Sequence, residues 1–243
     1  MALASMSEIF ERMARNGQEF WEVVLADDMD ERQVSREASM AKMLTTWQAM
    51  QDAADSYTGR KRSVSGLVGG DGMKMRQYTF RGCAMTGGYV SEVIAEALSM
   101  AESNACMRRI VAAPTAGACG VLPAVLLPLC KYEELTQHQL LEALYVAAGI
   151  GSVIAYKASI AGASGGCQAE IGTASAMAAG ALVALRGGEG EQIGHAVAMA
   201  LKNLMGLVCD PVAGLVEVPC VKRNVIGAVN AVSAADMALA GIE

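Results

Sequence analysis

Aromatic residues, prolines and histidines are all scarce in this sequence. Aromatic side chains make up 5% of the 243 residues, whereas apolar residues of all kinds make up 53%. The apolar mass is therefore mainly Ala, Val, Leu, Ile and 16 Met, accompanied by 26 Gly. A chain of this length can bury a substantial core. With so many small residues, that core is expected to bring backbones into close contact.

Long basic runs and a leader-like apolar segment are also missing. The formal net charge is −6, and the longest basic run is Arg60-Lys61-Arg62. These features argue against a nucleic-acid partner. The first residues carry charges and lack the apolar run of a secretory signal, so we expect a cytoplasmic protein.

One uncharged stretch, residues 110–130, is long enough to cross a membrane. It is interrupted by three prolines and by Gly117 and Gly120. Because such residues break a membrane-spanning helix, we expect a buried segment and no membrane association.

Hydrophobic periodicity predicts a mostly helical chain without strand pairs. We predict an all-α bundle with buried Ala/Gly-rich helices and a site formed by loops. Residues 1–243 should form one catalytic domain, with 1–57 as an outer amphipathic part. The expected helices cover about 5–25 (interrupted or weakened at Gly17), a segment from Asp30 or Ser35 to 56, 88–103 (capped by Thr86), 117–131, 136–155 (a capping box at Thr136 and Gln139), 168–187, 190–205 and 222–240. The glycine-rich segment 63–75 is predicted to be a loop.

The seven cysteines cannot all pair with one another, and no C-x-x-C motif is present. Cys130 ends an apolar run and is predicted to be a core residue. Cys83 and Cys106 are expected to be structural or incidental. Cys119 lies in a glycine-rich helix start that could stabilise a thiolate, although a structural role is favoured there too.

Three further cysteines, Cys167, Cys209 and Cys220, each lie next to glycine or proline turns. Their spacing alone leaves open whether they are core residues, nucleophiles or metal ligands. His138 and His195 are expected on helix surfaces and offer no clear completion of a metal site.

Several segments resemble the α chain of iron–sulfur-dependent L-serine dehydratases, and the resemblance covers nearly the whole sequence. The segments are SVSGLVGGDGMKM (63–75), APTAGACGVLPAVL (113–126), GASGGCQAEIGTASAMAA (162–179) and NLMGLVCDPVAGLVEVPCVKRNVIGAVNA (203–231).

This resemblance implies a [4Fe–4S] cluster held by Cys167, Cys209 and Cys220, with one iron open to substrate. Such an iron would act as a Lewis acid for the hydroxyl that leaves L-serine, yielding pyruvate and ammonia. No pyridoxal phosphate is implied. The general base is not identified by the resemblance, and Lys74 is a candidate.

The resemblance also implies that the loop beginning at Ser63 binds substrate. Hydroxyls and N–H groups in a glycine-rich loop suit a carboxylate. The candidate substrate-binding residues are Ser63, Ser65, Gly66, Gly69, Gly70, Lys74, Thr86 and Thr115. A flexible surface turn at 63–70, and simple helix caps at Thr86 and Thr115, are the alternatives.

Two departures from the family pattern shape the expected partners. The chain lacks the SSSHT-like motif of single-chain members, so we expect a separate β chain. Assembly into a higher oligomer is a further possibility. The helical tail that usually follows the family's α chain is not found after Glu243. A related lyase acting on L-threonine or L-cysteine, or a cluster-free regulatory homologue, are the alternative functions.

Overall fold

The computed structural model describes residues 3–243, which form ten α-helices, two 3₁₀ turns and no β-strand. The all-α prediction is thereby confirmed. The helices are α1 (Met6–Asn16), α2 (Phe20–Arg32), α3 (Arg36–Asp55), α4 (Asp71–Phe80), α5 (Gly87–Ala105), α6 (Val121–Tyr132), α7 (Gln137–Lys157), α8 (Gly162–Leu185), α9 (Gly190–Asn203) and α10 (Cys220–Leu239); the 3₁₀ turns are Ala116–Ala118 and Val212–Gly214.

Helix starts follow the predicted capping residues in two places. Thr136 accepts a hydrogen bond from the Gln139 N–H, and the Gln139 side chain accepts one from the Thr136 N–H at 2.9 Å, which confirms the capping box of α7. Ser35 caps α3 by accepting from the Ala38 N–H. Thr86 occupies the cap position of α5, but its side chain makes no capping hydrogen bond.

The structure confirms one prediction about helices and corrects another. The segment 5–25 is interrupted at Gly17 as predicted, because Gly17 adopts a left-handed conformation (φ 62°) that ends α1 before α2 begins. The segment 63–75 is not a loop throughout, because α4 begins at Asp71. The Glu102 carboxylate accepts hydrogen bonds from the N–H groups at this helix start, an interaction that local sequence does not reveal.

Helix α8 is the central element of the bundle. From Ile171 to Val183 every residue is buried, and α8 packs against α6, α7, α9 and α10. Such all-round burial requires small side chains, which this Ala/Gly-rich helix supplies. The outer helices α1–α3 contribute to the same core, and Phe20 and Val24 of α2 pack against α7 at Gly149.

The uncharged stretch 110–130 does not form one long helix. It contains a loop, a 3₁₀ turn and the first part of α6, which has 12 residues in all.

Helix α7, with 21 residues and a mean hydropathy of 1.4 over its apolar window, is long and apolar enough to cross a membrane. Its apolar window is 61% buried inside the bundle.

Close packing at the centre makes two buried helical glycines respond differently to alanine. A Cβ at Gly227 would lie 2.7 Å from Ile171 Cγ2 and 3.1 Å from Val121 Cγ2, whereas a Cβ at Gly172 would meet no atom closer than 3.9 Å. We expect Gly227→Ala to lower the free energy of unfolding by about 1–3 kcal/mol through overpacking. Gly172→Ala should raise it by about 0.5–1 kcal/mol through helix propensity.

Urea unfolding of the two variants and the parent chain measures both changes. Equal effects of the two substitutions would show that the helix contacts at Gly227 do not limit side-chain size.

Candidate functional site

Three cysteines from two separate parts of the sequence lie at one end of the bundle. Cys167 lies inside α8, Cys220 is the first residue of α10, and Cys209 lies in the loop that leads to α10. Arg223, one turn after Cys220, contacts Cys167 Sγ at 3.0 Å, and a Cβ on Gly166, the residue before Cys167, would lie 3.4 Å from the Cys209 nitrogen. The site is thus formed by helix positions and a loop, whereas loops alone were predicted.

A kink in α8 brings the loop of Cys209 against Cys167. Gly166 has non-helical angles (φ 73°, ψ −174°), and a Cβ there would lie 3.3 Å from the Leu207 carbonyl oxygen and 3.4 Å from the Cys209 nitrogen. The Gln168 N–H donates to the Leu207 carbonyl oxygen at 2.7 Å. Glycine is therefore required both by backbone conformation and by contact with the loop.

The buried Arg223 side chain links the same two segments. It is 8% exposed, and its guanidinium lies 3.0 Å from Cys167 Sγ and 3.0 Å from the Val208 carbonyl oxygen. It also forms an ion pair with Asp210, the residue after Cys209. Because a guanidinium can donate in several directions at once, one side chain fixes the cysteine on α8 relative to the loop.

The three thiols differ in their exposure to solvent. Cys167 is buried, Cys220 is half-buried and Cys209 is exposed. Burial raises the pKa of Cys167, while the hydrogen bond from Arg223 acts in the opposite direction. Burial also raises the pKa of Cys220.

The serine loop predicted to bind substrate is tied to the cysteine segment through Glu217. The Ser63 hydroxyl donates to the Glu217 carboxylate at 2.8 Å, and the Ser65 hydroxyl donates to the same oxygen. Glu217 is buried and lies three residues before Cys220. Gly66, also in this loop, is exposed and donates its N–H to the Ser63 carbonyl oxygen.

The two glycines at the end of this loop are closely packed. A Cβ at Gly69, where φ is 136°, would overlap the Lys61 carbonyl oxygen. The Gly70 N–H donates to the buried Glu102 carboxylate at 3.1 Å, so this donor already has a partner within the chain. The predicted carboxylate-binding N–H group thus binds a carboxylate of the protein itself.

Lys74 is linked to the start of α10 because it and Lys222 pair with the same carboxylate, that of Asp71. Its ammonium pairs with Asp71 at 2.8 Å, and Lys222, two residues after Cys220, lies 3.2 Å from the other oxygen of Asp71. Lys74 is exposed.

Thr115 and Thr86 have different positions relative to the cysteines. The Thr115 hydroxyl donates to the Glu170 carboxylate, one helical turn beyond Cys167. Thr86 lies at the opposite end of α5 from Glu102, and a helix of 19 residues is roughly 28 Å long. The structure therefore brings Thr115 to the site and leaves Thr86 away from it.

The other cysteines and the histidines lie outside this arrangement. Cys130 is exposed at the end of α6, so the prediction of a core position was wrong. Cys119 is fully buried, and burial raises its pKa to about 12, consistent with a structural role. His138 is exposed and lies 3.3 Å from Glu142 on α7, and His195 is on α9.

Sequence reasoning missed four polar residues that surround the cysteines: Glu170, Glu217, Arg223 and Asn224. The buried Asn224 side chain accepts from the Gly120 N–H at 2.9 Å and donates to the Gly117 carbonyl oxygen at 2.7 Å. Helical spacing could have identified three of them, because Glu170 follows Cys167 by three positions and Arg223 and Asn224 follow Cys220 by three and four.

The fold and this geometry define a helical protein with a three-cysteine site where a kinked central helix meets the start of the last helix. The profile of the family described as serine dehydratase alpha chain matches residues 15–243. The chain belongs to this family.

Similar proteins carry related names. The chain is 45% identical over 221 residues to "Probable L-serine dehydratase, alpha chain" of Bacillus subtilis (strain 168), which covers 91% of this chain and 74% of the relative. It is 37% identical to "L-serine dehydratase, alpha chain" of Peptoniphilus asaccharolyticus over 99% of this chain and 83% of that protein. For "L-serine dehydratase 2" of Escherichia coli (strain K12) the identity is 49%, over 59% of this chain and 32% of that protein.

The double substitution Ser63→Ala/Ser65→Ala removes both hydroxyl donors to Glu217. We expect it to lower the free energy of unfolding by about 1–3 kcal/mol, because a buried carboxylate then lacks its partners. Ser233→Ala, which changes an exposed serine on α10, is the control and should have little effect. Urea unfolding measures the difference; indistinguishable midpoints would contradict a stabilising role for these contacts.

Replacing Arg223 by lysine should expose Cys167. The ammonium cannot reproduce the contacts with Cys167, Val208 and Asp210, so the loop is expected to open more often. Alkylation of Cys167 by iodoacetamide in the isolated chain should then become several-fold faster. Mass spectrometry follows this rate with the buried Cys119 as internal reference; an unchanged ratio of the two rates would contradict the role of Arg223 in shielding Cys167.

Proposed function

We propose that this chain is the catalytic α chain of an enzyme that converts L-serine to pyruvate and ammonia. Support comes from the family and from the names of the relatives in Bacillus subtilis and Peptoniphilus asaccharolyticus. The observation that carries the proposal is that Arg223, one turn after Cys220, contacts both Cys167 and the loop that holds Cys209.

The proposed cofactor is a [4Fe–4S] cluster held by these three cysteines. Within residues 3–243, no three Cys, His, Asp or Glu side chains converge closely enough to hold a single metal ion. A cubane does not require three side chains to meet at one ion, because each cysteine would ligate a different iron. The donor set also fits, since thiolates are the usual ligands of such clusters. When bound through three cysteines, the cluster supplies an open iron as a Lewis acid for the departing hydroxyl.

The overall reaction is a redox-neutral elimination followed by hydrolysis. The Cα–H and Cβ–O bonds of serine break, a Cα=Cβ bond forms, and water is released with 2-aminoacrylate. This product tautomerises to an imine, which water hydrolyses to pyruvate and ammonia. No pyridoxal phosphate is part of the proposal.

The residues of this chain prepare the site for that substrate. Arg223 and the kink at Gly166 fix the cysteine segments, which is the preorganisation that catalysis requires. Lys74 and Lys222 share the single carboxylate of Asp71, which leaves one net positive charge next to the start of α10 to attract the substrate carboxylate. Direct substrate contacts by Ser63, Ser65, Gly66, Gly69, Gly70 and Thr115 remain predictions.

The proposed partner is a separate β chain, in a cytoplasmic enzyme. The words "alpha chain" in the names of the two relatives support a companion chain. In addition, the match covers only 32% of the Escherichia coli enzyme, most of whose length therefore lies outside the matched region.

Changing Cys209 to serine tests the function and the cofactor together. The chain is reconstituted anaerobically with iron, sulfide and its β chain, and iron, sulfide and pyruvate are measured. The parent should bind one cluster and form pyruvate from L-serine. Cys209→Ser should lose the cluster, and its kcat should fall by more than the roughly 10–100-fold typical of outer-shell changes.

Cys130→Ser, at an exposed cysteine away from the site, is the matched control and should keep both properties. A parent protein that binds no iron would contradict the proposed cofactor and would favour the alternative that this chain is a cluster-free regulatory homologue. Pyruvate formation from L-cysteine but not from L-serine would contradict the proposal that L-serine is the substrate.

A further inference from the structure

Glu170 carries a carboxylate that projects from the same part of α8 as Cys167. The two residues are three positions apart, so their side chains lie on one face of the helix. Gly117, which lies against the Glu170 carboxylate, accepts a hydrogen bond at 2.7 Å from Asn224, and Asn224 also donates to the Cys220 carbonyl oxygen at 3.1 Å, so Glu170 lies close to the start of α10. Its side chain is half-buried.

Three surrounding groups fix the position of this carboxylate. The Thr115 hydroxyl donates a hydrogen bond to Oε1. A Cβ on Gly117 would lie 2.7 Å from Oε1, and a Cβ on Gly162 would lie 2.8 Å from Oε2. The carboxylate thus fits between two glycines of different segments, where any larger residue would displace it.

Among residues 3–243, the carboxylates of Glu170 and Glu217 have no cationic partner, whereas the other charged groups near the cysteines are paired. In the ion pairs formed by residues 3–243, Asp210 is paired with Arg223, and Asp71 is paired with Lys74 and Lys222. No lysine, arginine or histidine in that range lies within ion-pair distance of Glu170. A carboxylate without a cationic partner keeps an oxygen lone pair available to accept a proton.

The other candidate bases are placed less favourably. Lys74 is exposed and pairs with Asp71, and His138 lies beside Glu142 on another face of the bundle. Glu217 is buried, with one oxygen accepting from two serine hydroxyls. Glu170 therefore combines nearness to the cysteines, partial exposure and a fixed position.

We propose that Glu170 is the general base that removes the Cα proton of the substrate. The inference rests on the proposed serine dehydration. The electron pair of the Cα–H bond forms the Cα=Cβ bond, and the pair of the Cβ–O bond leaves with hydroxide. The proton held by Glu170 then passes to this hydroxide as water, which restores the carboxylate and balances the elimination. Thr115 is a positioning residue, because it acts through its hydrogen bond to Glu170.

Glu170→Gln tests this role, because the amide keeps the shape of the side chain but cannot act as the base. The variant is reconstituted anaerobically in the full α–β enzyme, and iron content and steady-state kinetics are measured. Iron content should match the parent, and kcat should fall about 10²–10⁴-fold, the usual contribution of a general base. With Cα-deuterated serine, the kinetic isotope effect on kcat should increase, because proton removal becomes rate-limiting.

Four further variants test whether Glu170 acts through its carboxylate and whether Thr115 positions it. Glu170→Asp keeps the carboxylate and should recover part of the lost kcat. Thr115→Ser, which retains the hydroxyl, should remain more active than Thr115→Val. Glu191→Gln, an exposed carboxylate on α9, is the matched control and should behave as the parent.

The outcomes separate this inference from the proposed function. A parent enzyme that forms pyruvate while Glu170→Gln retains near-parent kcat would overturn the inference alone and place the base elsewhere, including on the β chain. Loss of iron from Glu170→Gln would also overturn it, because the residue would then support the cofactor site. A parent that binds a cluster but does not dehydrate serine would overturn both.

Discussion

All-round burial of α8 is the constraint on which the rest of the structure depends. From Ile171 to Val183 this helix is surrounded by α6, α7, α9 and α10 and has no solvent-facing side, so its neighbours can approach only if its side chains are small. This buried section continues directly from the N-terminal part of α8, where Cys167 is buried and Glu170 is half-buried. A rigid helix can hold a reactive side chain more accurately than a mobile loop can.

Buried polar contacts connect this helix to the segments that complete the site. Arg223 links α8 to the Cys209 loop, Asn224 links α10 to the turn before α6, and Glu217 links the Cys220 segment to the serine loop. Each contact satisfies buried polar groups, so removing one partner leaves another unsatisfied. The site is therefore a set of interdependent segments, which is the support that a preorganised active site needs.

Sequence reasoning succeeded where the determining interactions are local. The capping box of α7 and the later helices followed from residue spacing, and motif resemblance brought Cys167, Cys209 and Cys220 together as candidates. It failed at α4, because the start of that helix is capped by Glu102, a residue 31 positions away from Asp71. It also failed for Cys130, since an apolar run did not reveal that its last residue faces outward.

The sequence by itself determined the helical class, the small-residue core and the cysteines, because periodicity, composition and motifs are properties of short segments. Only the tertiary structure decided that Glu217 accepts from Ser63 and Ser65, that Thr115 reaches Glu170, and that Thr86 lies away from the cysteines. These outcomes depend on how helices pack across large sequence separations. A hydroxyl or carboxylate binds whichever partner that packing brings within reach, and local sequence does not specify the partner.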